Sequence, residues 1–140
     1  MKYFDYKKAV GIVAFPAVVF VIHELINIPF GLYDVFPALD IPMHFLGGAS
    51  VSVSSALCLR QTKGIVMVEK IGKFFFFLWA VSLAGLAAIV WEFYEFLSDY
   101  FFQTVTQPSL ADTVGDLFFG LVGGLVASAY IVYRWRQIKK

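Results

Sequence analysis

Charged and polar residues are in short supply in this sequence. Only 15% of its 140 residues are charged, against 60% hydrophobic, and its mean hydropathy is +0.78, which excludes an ordinary soluble domain. Cysteine is confined to Cys58, so no intramolecular disulfide can form. Its position beside a basic cluster puts it on the side expected to be reducing. No polar stretch is long enough to house a second domain, and residues 1–140 read as one helical unit. Basic residues are missing over long intervals, because all eleven Lys and Arg fall in three places: Lys2, Lys7 and Lys8; Arg60, Lys63, Lys70 and Lys73; Arg134, Arg136, Lys139 and Lys140. There is no phosphate-cradling glycine loop and no nucleophile triad. Ser50, Ser52, Ser54 and Ser55 have no histidine within a turn at a suitable depth. Nothing in the charge pattern suggests a nucleic-acid partner; the partner expected is the lipid bilayer, and the oligomeric state is left open.

What is abundant is apolar length. A membrane-spanning helix needs about 20 apolar residues. Four stretches qualify, at about 9–29, 42–59, 74–98 and 111–133. The first resembles a signal peptide in its basic start, but it contains Pro16, His23 and Glu24 and lacks a small-residue cleavage site, so it is expected to be retained. Basic residues mark the cytoplasmic side of helical membrane proteins. The expectation is therefore an all-α, polytopic protein of four transmembrane helices in the plasma (inner) membrane of a prokaryote, with both termini cytoplasmic. Trp91, Tyr94 and Tyr100 would form the outer aromatic band, and Tyr133 and Trp135 the inner one.

Counting from the basic anchors gives each remaining ionisable group a depth. Glu92 and Glu95 follow Lys73 by 19 and 22 residues, about 29 and 33 Å along a helix. Asp116 and Asp112 lie about 27 and 33 Å from Arg134, His44 and Asp40 about 24 and 30 Å from Arg60, and His23 and Glu24 about 23 and 24 Å from Lys8. All four helices thus bring ionisable groups to one layer near the outer edge of a hydrocarbon core about 30 Å thick. Small residues indicate which way they face. Asp112, Asp116, Gly120, Gly124 and Ser128 form one stripe, Glu92 and Glu95 continue a stripe through Gly85 and Ala88, and His44 sits above Gly48 and Ser52. Such stripes line helix contacts in membranes, so the layer is expected to crown the bundle interior.

The segment Pro37-Ala38-Leu39-Asp40 with His44 echoes Pro108-Ser109-Leu110 with Asp112 and Asp116. This suggests two duplicated helical hairpins related by an axis along the membrane normal. The run Asp40-Ile-Pro-Met-His44-Phe-Leu-Gly47, the run Trp91-Glu92-Phe-Tyr-Glu95-Phe, and Asp112-Thr-Val-Gly-Asp116 with the glycine-rich stretch to Gly124 together resemble the VanZ-like and YjdF-like small bacterial membrane proteins. Glu95 and Asp116 stand where the VanZ-like pattern often has Gln and Asn, which brings the chain nearer the YjdF-like side. The resemblance implies an envelope or glycopeptide-resistance role and little about mechanism.

Structural roles compete with functional ones. Ser109 and Asp112 have capping-box spacing, Asp40 ahead of Pro42 suits a helix cap, and Asp99 reads as a solvated helix-end charge. Glu92, Glu95 and Asp116 lie beyond the first turns, where an unpaired carboxylate costs about 2.5 to 3.5 kcal/mol or more. With no outer Lys or Arg, the compensation must come from protonation, hydrogen bonds, the two histidines or a bound cation. The expected metal ligands are His44, Glu92, Glu95, Asp116, Asp112 and Asp40, with His23 and Glu24 as further candidates, for Zn, Mn or Mg. Glu92, Glu95 and Asp116 are the candidate catalytic groups. Two functional classes follow: a metal-dependent hydrolase or transferase acting on a lipid-linked or envelope substrate, or a non-enzymatic protein that binds a cation, antibiotic or lipid headgroup or conducts ions or protons.

Overall fold

A computed structural model of the chain describes residues 6–27, 30–61 and 72–135. It is all-helical. The elements are α1 (Tyr6–Asn27), a single turn α2 (Leu32–Val35), a 3-10 turn (Pro37–Leu39), α3 (Asp40–Gln61), α4 (Lys73–Phe102) and α5 (Leu110–Tyr133). Three of these, Pro37–Arg60, Lys73–Phe102 and Leu110–Tyr133, are long and apolar enough to cross a membrane, and α1 contributes a shorter apolar stretch, Ala9–Leu25. The expected helices at 42–59, 74–98 and 111–133 are each present and slightly longer than their apolar runs. The expected end of the first, at residue 29, lies outside the described residues, as do Lys2, Lys63 and Lys70.

The start of α3 differs in kind from the expectation. Of the two roles expected for Asp40, cap or metal ligand, the backbone does not favour the cap: Asp40 has helical dihedrals (φ −67°, ψ −42°), because the 3-10 turn led by Pro37 already sets the chain on a helical course. Asp40 therefore presents its carboxylate to the residue one turn on, His44. At α5 the capping expectation holds: the Ser109 hydroxyl accepts the Asp112 backbone N–H at 3.2 Å.

The helices assemble around α3, which packs most extensively on α5 and also meets α1 and α4. The α3–α5 contact is a backbone-to-backbone approach. A Cβ on Gly48 would meet the Gly120 carbonyl, and one on Gly123 would meet the Phe45 carbonyl. Below this crossing the Ser52 hydroxyl donates to the Gly124 carbonyl at 3.1 Å, and Ser128 donates to Ser52 at 3.1 Å. Between apolar helices in lipid such close packing and buried hydroxyl bonds carry the association, since lipid tails are as apolar as the side chains. On α4 the buried stripe is Phe76, Ala80, Ala84, Ala88, Glu92 and Glu95. Gly85, assigned to that stripe from the sequence, sits beside it against Leu121, because the stripe advances in steps of four from Phe76.

The two poles of the bundle differ. At one, Leu59, Phe76, Ala80, Ile131 and Trp135 form an apolar core beneath Arg60, Lys73 and Arg134. Trp135, expected in an interfacial band, is buried with its ring centroid 5.0 Å from that of Phe76. It closes the bundle from within, whereas Tyr133 stays exposed. The other pole carries the histidines and carboxylates.

Substituting Gly48 or Gly123 by Ala is expected to destabilise the bundle by roughly 1 to 3 kcal/mol or more, since neighbouring backbone cannot yield as a side chain can. Gly115→Ala, where an added Cβ meets nothing within 4 Å, is expected to be neutral. Unfolding of the three variants in one detergent checks the contrast.

Candidate metal centre

Four helices supply the acidic pole. α1 contributes His23, α3 contributes Asp40 and His44, α4 contributes Glu92 and Glu95, and α5 contributes Asp116. His23, His44, Glu92, Glu95 and Asp116 are all buried. The pole is reached from the outside by a polar cavity of about 210 Å³ whose walls include His23, Tyr33, Asp40, Glu95, Thr106 and Asp112.

The side chains face one another at separations longer than good hydrogen bonds. His44 Nε2 lies 3.4 Å from Asp40 Oδ1 and 3.9 Å from Asp116 Oδ1, and its Nδ1 lies 3.9 Å from Glu92 Oε1. His23 Nε2 is 3.6 Å from Glu95 Oε1, and its Nδ1 is 3.7 Å from Asp40 Oδ1. As a result Asp40 Oδ1, His44 Nε2, Glu92 Oε1, Glu95 Oε2 and Asp116 Oδ2 are buried without a hydrogen-bond partner. Native proteins leave few such atoms, because each costs about 1 to 3 kcal/mol, and more when charged. Two overlapping groups could hold a metal ion: Asp40, His44 and Asp116, and His44, Glu92 and Glu95, with the donor atoms of each within 4.8 Å of one another.

Of the residues expected from sequence, His44, Glu92, Glu95, Asp116 and Asp40 are brought together. His23 stands at their edge, in contact with Asp40 and Glu95. Asp112 is half-buried on the wall of the polar cavity, and neither it nor the half-buried Glu24 belongs to a donor group.

The surrounding shell holds residues that sequence reasoning assigned elsewhere or passed over. Trp91, expected in the interfacial band, lies between the histidines, 4.8 Å from the His23 ring and 5.3 Å from the His44 ring, and its Nε1 donates to Glu95 Oε1 at 3.0 Å. Gln107 donates from Nε2 to the Glu92 carboxylate at 2.8 Å and to the Glu92 carbonyl at 3.0 Å. Asp99, a partly exposed charge near the end of α4, also gathers the α4–α5 loop, accepting from the Thr104 and Thr106 hydroxyls and from the backbone N–H groups of Thr106 and Gln107, all at 2.6 to 2.9 Å. The signal was present as the polar run Thr104 to Gln107 directly after α4. On the other side Tyr33 of α2 places its hydroxyl 2.9 Å from His23 Nδ1. Burial raises the Tyr33 pKa well above the usual phenol range, so the residue stays neutral over the acidic pole.

Down the centre of the bundle, residues 72 positions apart meet in pairs: His23 with Glu95, His44 with Asp116, Gly48 with Gly120, and Ser52 with Gly124. Among the helix pairs, α3 packs on α4, whereas α1 makes no comparable contact with α5.

A family model matches residues 2–137, nearly the whole chain. The chain belongs to that family, described as predicted membrane protein (DUF2238). For this DUF2238 member, no curated protein and no solved structure gives a match.

Asp99→Ala removes four accepted bonds from the loop that seats Gln107 on Glu92. It is expected to cost about 1 to 3 kcal/mol and to speed proteolysis between residues 103 and 109 severalfold, which limited digestion of the detergent-solubilised protein checks.

Proposed function

We propose that the acidic pole binds a divalent cation and that the protein is a membrane-embedded, metal-dependent hydrolase or transferase acting on a lipid-linked or envelope substrate. The observation that carries this reading is the set of five buried donor atoms left without partners. A metal bound at 2.0 to 2.1 Å by tetrahedrally arranged ligands holds them about 3.3 to 3.4 Å apart. The separation of 3.4 Å between His44 Nε2 and Asp40 Oδ1 fits that spacing. Asp116, with Oδ1 3.9 Å from His44 Nε2 and a ligand atom within 4.8 Å of the other two, would have to draw in to join them.

Asp40, His44 and Asp116 would hold the ion. With the metal on Nε2, His44 carries its proton on Nδ1, toward Glu92, and Gln107 holds Glu92 in place: a carboxylate–histidine–metal relay that fixes the ring and raises its basicity. The mixed imidazole and carboxylate set suits Zn or Mn better than Mg, which prefers oxygen and water. A divalent ion held there would supply an activated water and Lewis-acid polarisation of the substrate oxygen. Glu95, its Oε1 held by Trp91 and its Oε2 unpaired, is the group placed to take the proton. The absence of Lys and Arg from this pole rules against phosphoryl chemistry that relies on cationic side chains; with a metal none is needed.

The basic residues at the far pole support a plasma-membrane orientation with the acidic pole outside, both termini cytoplasmic and α1 as the fourth span. The four central contacts between residues 72 apart support duplicated hairpins. The resemblance to VanZ-like and YjdF-like proteins supports an envelope role.

Protein purified without chelator is expected to carry about one Zn or Mn per chain. Asp116→Asn and His44→Ala are expected to abolish tight binding, and Glu92→Gln to weaken it about 10- to 100-fold. Affinity is expected to fall as pH falls, because protons compete for the ligands. Glu95→Gln is expected to keep the metal and lose turnover on lipid-phosphate or ester substrates. Wild-type protein that takes up no divalent metal contradicts the proposal. Bound metal without turnover on any lipid-phosphate, ester or peptide substrate returns the site to the second class, cation or headgroup binding or ion conduction.

A further inference from the structure

The acidic pole has a second approach, and it is apolar. An apolar cavity of about 290 Å³ has His44 and Trp91 at its upper end and Val13, Ala17, Val51 and Ala87 along its walls. A second, of about 460 Å³, continues toward Cys58 and Trp79 and shares Val13, Pro16, Val51 and Ala87 with the first. The two form one groove between α1 and α4, floored by α3. Its origin lies in the packing: at the level of Phe20 the helices are bridged by ring contacts of 5.4 Å to Trp91 and Tyr94, while lower down the small residues Ala87, Gly47 and Gly48 leave the space between α1 and α4 unfilled. From His44 to Cys58 the groove spans 14 residues of α3, about 21 Å. Among the described residues, His44 is the only ionisable side chain on its walls apart from Cys58 at the lower end.

We infer that this groove holds one hydrocarbon chain of a glycerophospholipid from the leaflet at the acidic pole, with the headgroup phosphate reaching the ion at Asp40, His44 and Asp116. The inference rests on the metal reading for the phosphate contact. One leaflet of the hydrocarbon core is about 15 Å deep, so the groove is long enough for a chain of that leaflet. It leads directly to His44, whose Nε2 is buried and unpartnered. A water-soluble substrate gains nothing from an apolar channel within the helices, whereas a lipid enters sideways without leaving the bilayer. The two cavities then divide the work: the apolar groove holds the chain, and the polar cavity beside Tyr33 and Thr106 admits water and releases the polar product.

The test uses full-length protein in liposomes containing phosphatidylglycerol with a diazirine midway along one acyl chain. After irradiation, adducts are mapped by mass spectrometry, and zinc binding is measured on the same preparations. Adducts are expected to concentrate on Val13, Ala17, Val51 and Ala87 relative to Leu125 and Val126, which are exposed on α5. Ala87→Trp, which fills the groove, is expected to reduce groove adducts at least about tenfold, equivalent to 1.4 kcal/mol, with zinc binding unchanged. Adducts spread evenly over the groove and the α5 face in the wild-type protein overturn the lipid site, whatever the variant does. Groove labelling in protein that binds no zinc supports the lipid site and overturns the contact between phosphate and ion.

Discussion

Carboxylates buried among apolar helices with no basic residue to neutralise them are the constraint on which this protein turns. Asp116, Glu92 and Glu95 lie at 2 to 6% exposure, and each ionised carboxylate at such a position costs a few kcal/mol unless something offsets it. The structure offsets part of that cost with identifiable donors: Gln107 for Glu92 and Trp91 for Glu95. It leaves one atom of each carboxylate, one of Asp40 and one of His44 buried without a hydrogen-bond partner, distributed over two overlapping groups that share His44. The fold supplies Gln107, Trp91 and an Asp99-organised loop for some of these atoms and leaves others buried without partners, in groups that could hold a metal ion; this is the ground of the proposed cation site.

The rest of the bundle serves this arrangement. Gly48 and Gly123 let α3 and α5 touch along their backbones, which carries His44 to Asp116. The serines below hold the crossing in place, and Trp135 and Phe76 seal the opposite pole with apolar contacts. Rigidity at the glycine crossing and adaptability at the polar rim follow from one principle: helix contacts in lipid are made by shape, while polar groups at the boundary can still exchange with water.

The helices and the depth of the charged layer were legible in the sequence because both depend on simple lengths, an apolar run and a 1.5 Å rise. The inward direction of His44, Glu92 and Asp116 was legible from small residues at four-residue spacing. The shell was not. Trp91 read as an interfacial aromatic because composition cannot tell a ring facing lipid from one lying between two histidines. Gln107 and Asp99 act through a loop whose course depends on how α4 and α5 are joined, and no periodicity encodes that. Asp40 stood between cap and ligand because the 3-10 turn before it cannot be distinguished by sequence from an irregular lead-in. Glu24 lies at the right depth, but no stripe of small residues indicated which way it faces. Asp112 shares the stripe of Asp116, yet one turn nearer the helix end it reaches only the wall of the cavity.

The central claim concerns one position in space, and a crystal structure of protein prepared with zinc, with data collected on both sides of the zinc absorption edge, tests it directly. The account predicts one anomalous peak within about 2.0 to 2.2 Å of His44 Nε2 and of carboxylate oxygens of Asp40 and Asp116, with Glu92 on the far side of the imidazole. A map with no peak at this pole, and with Asp40, His44 and Asp116 bonded to one another or to water, contradicts it.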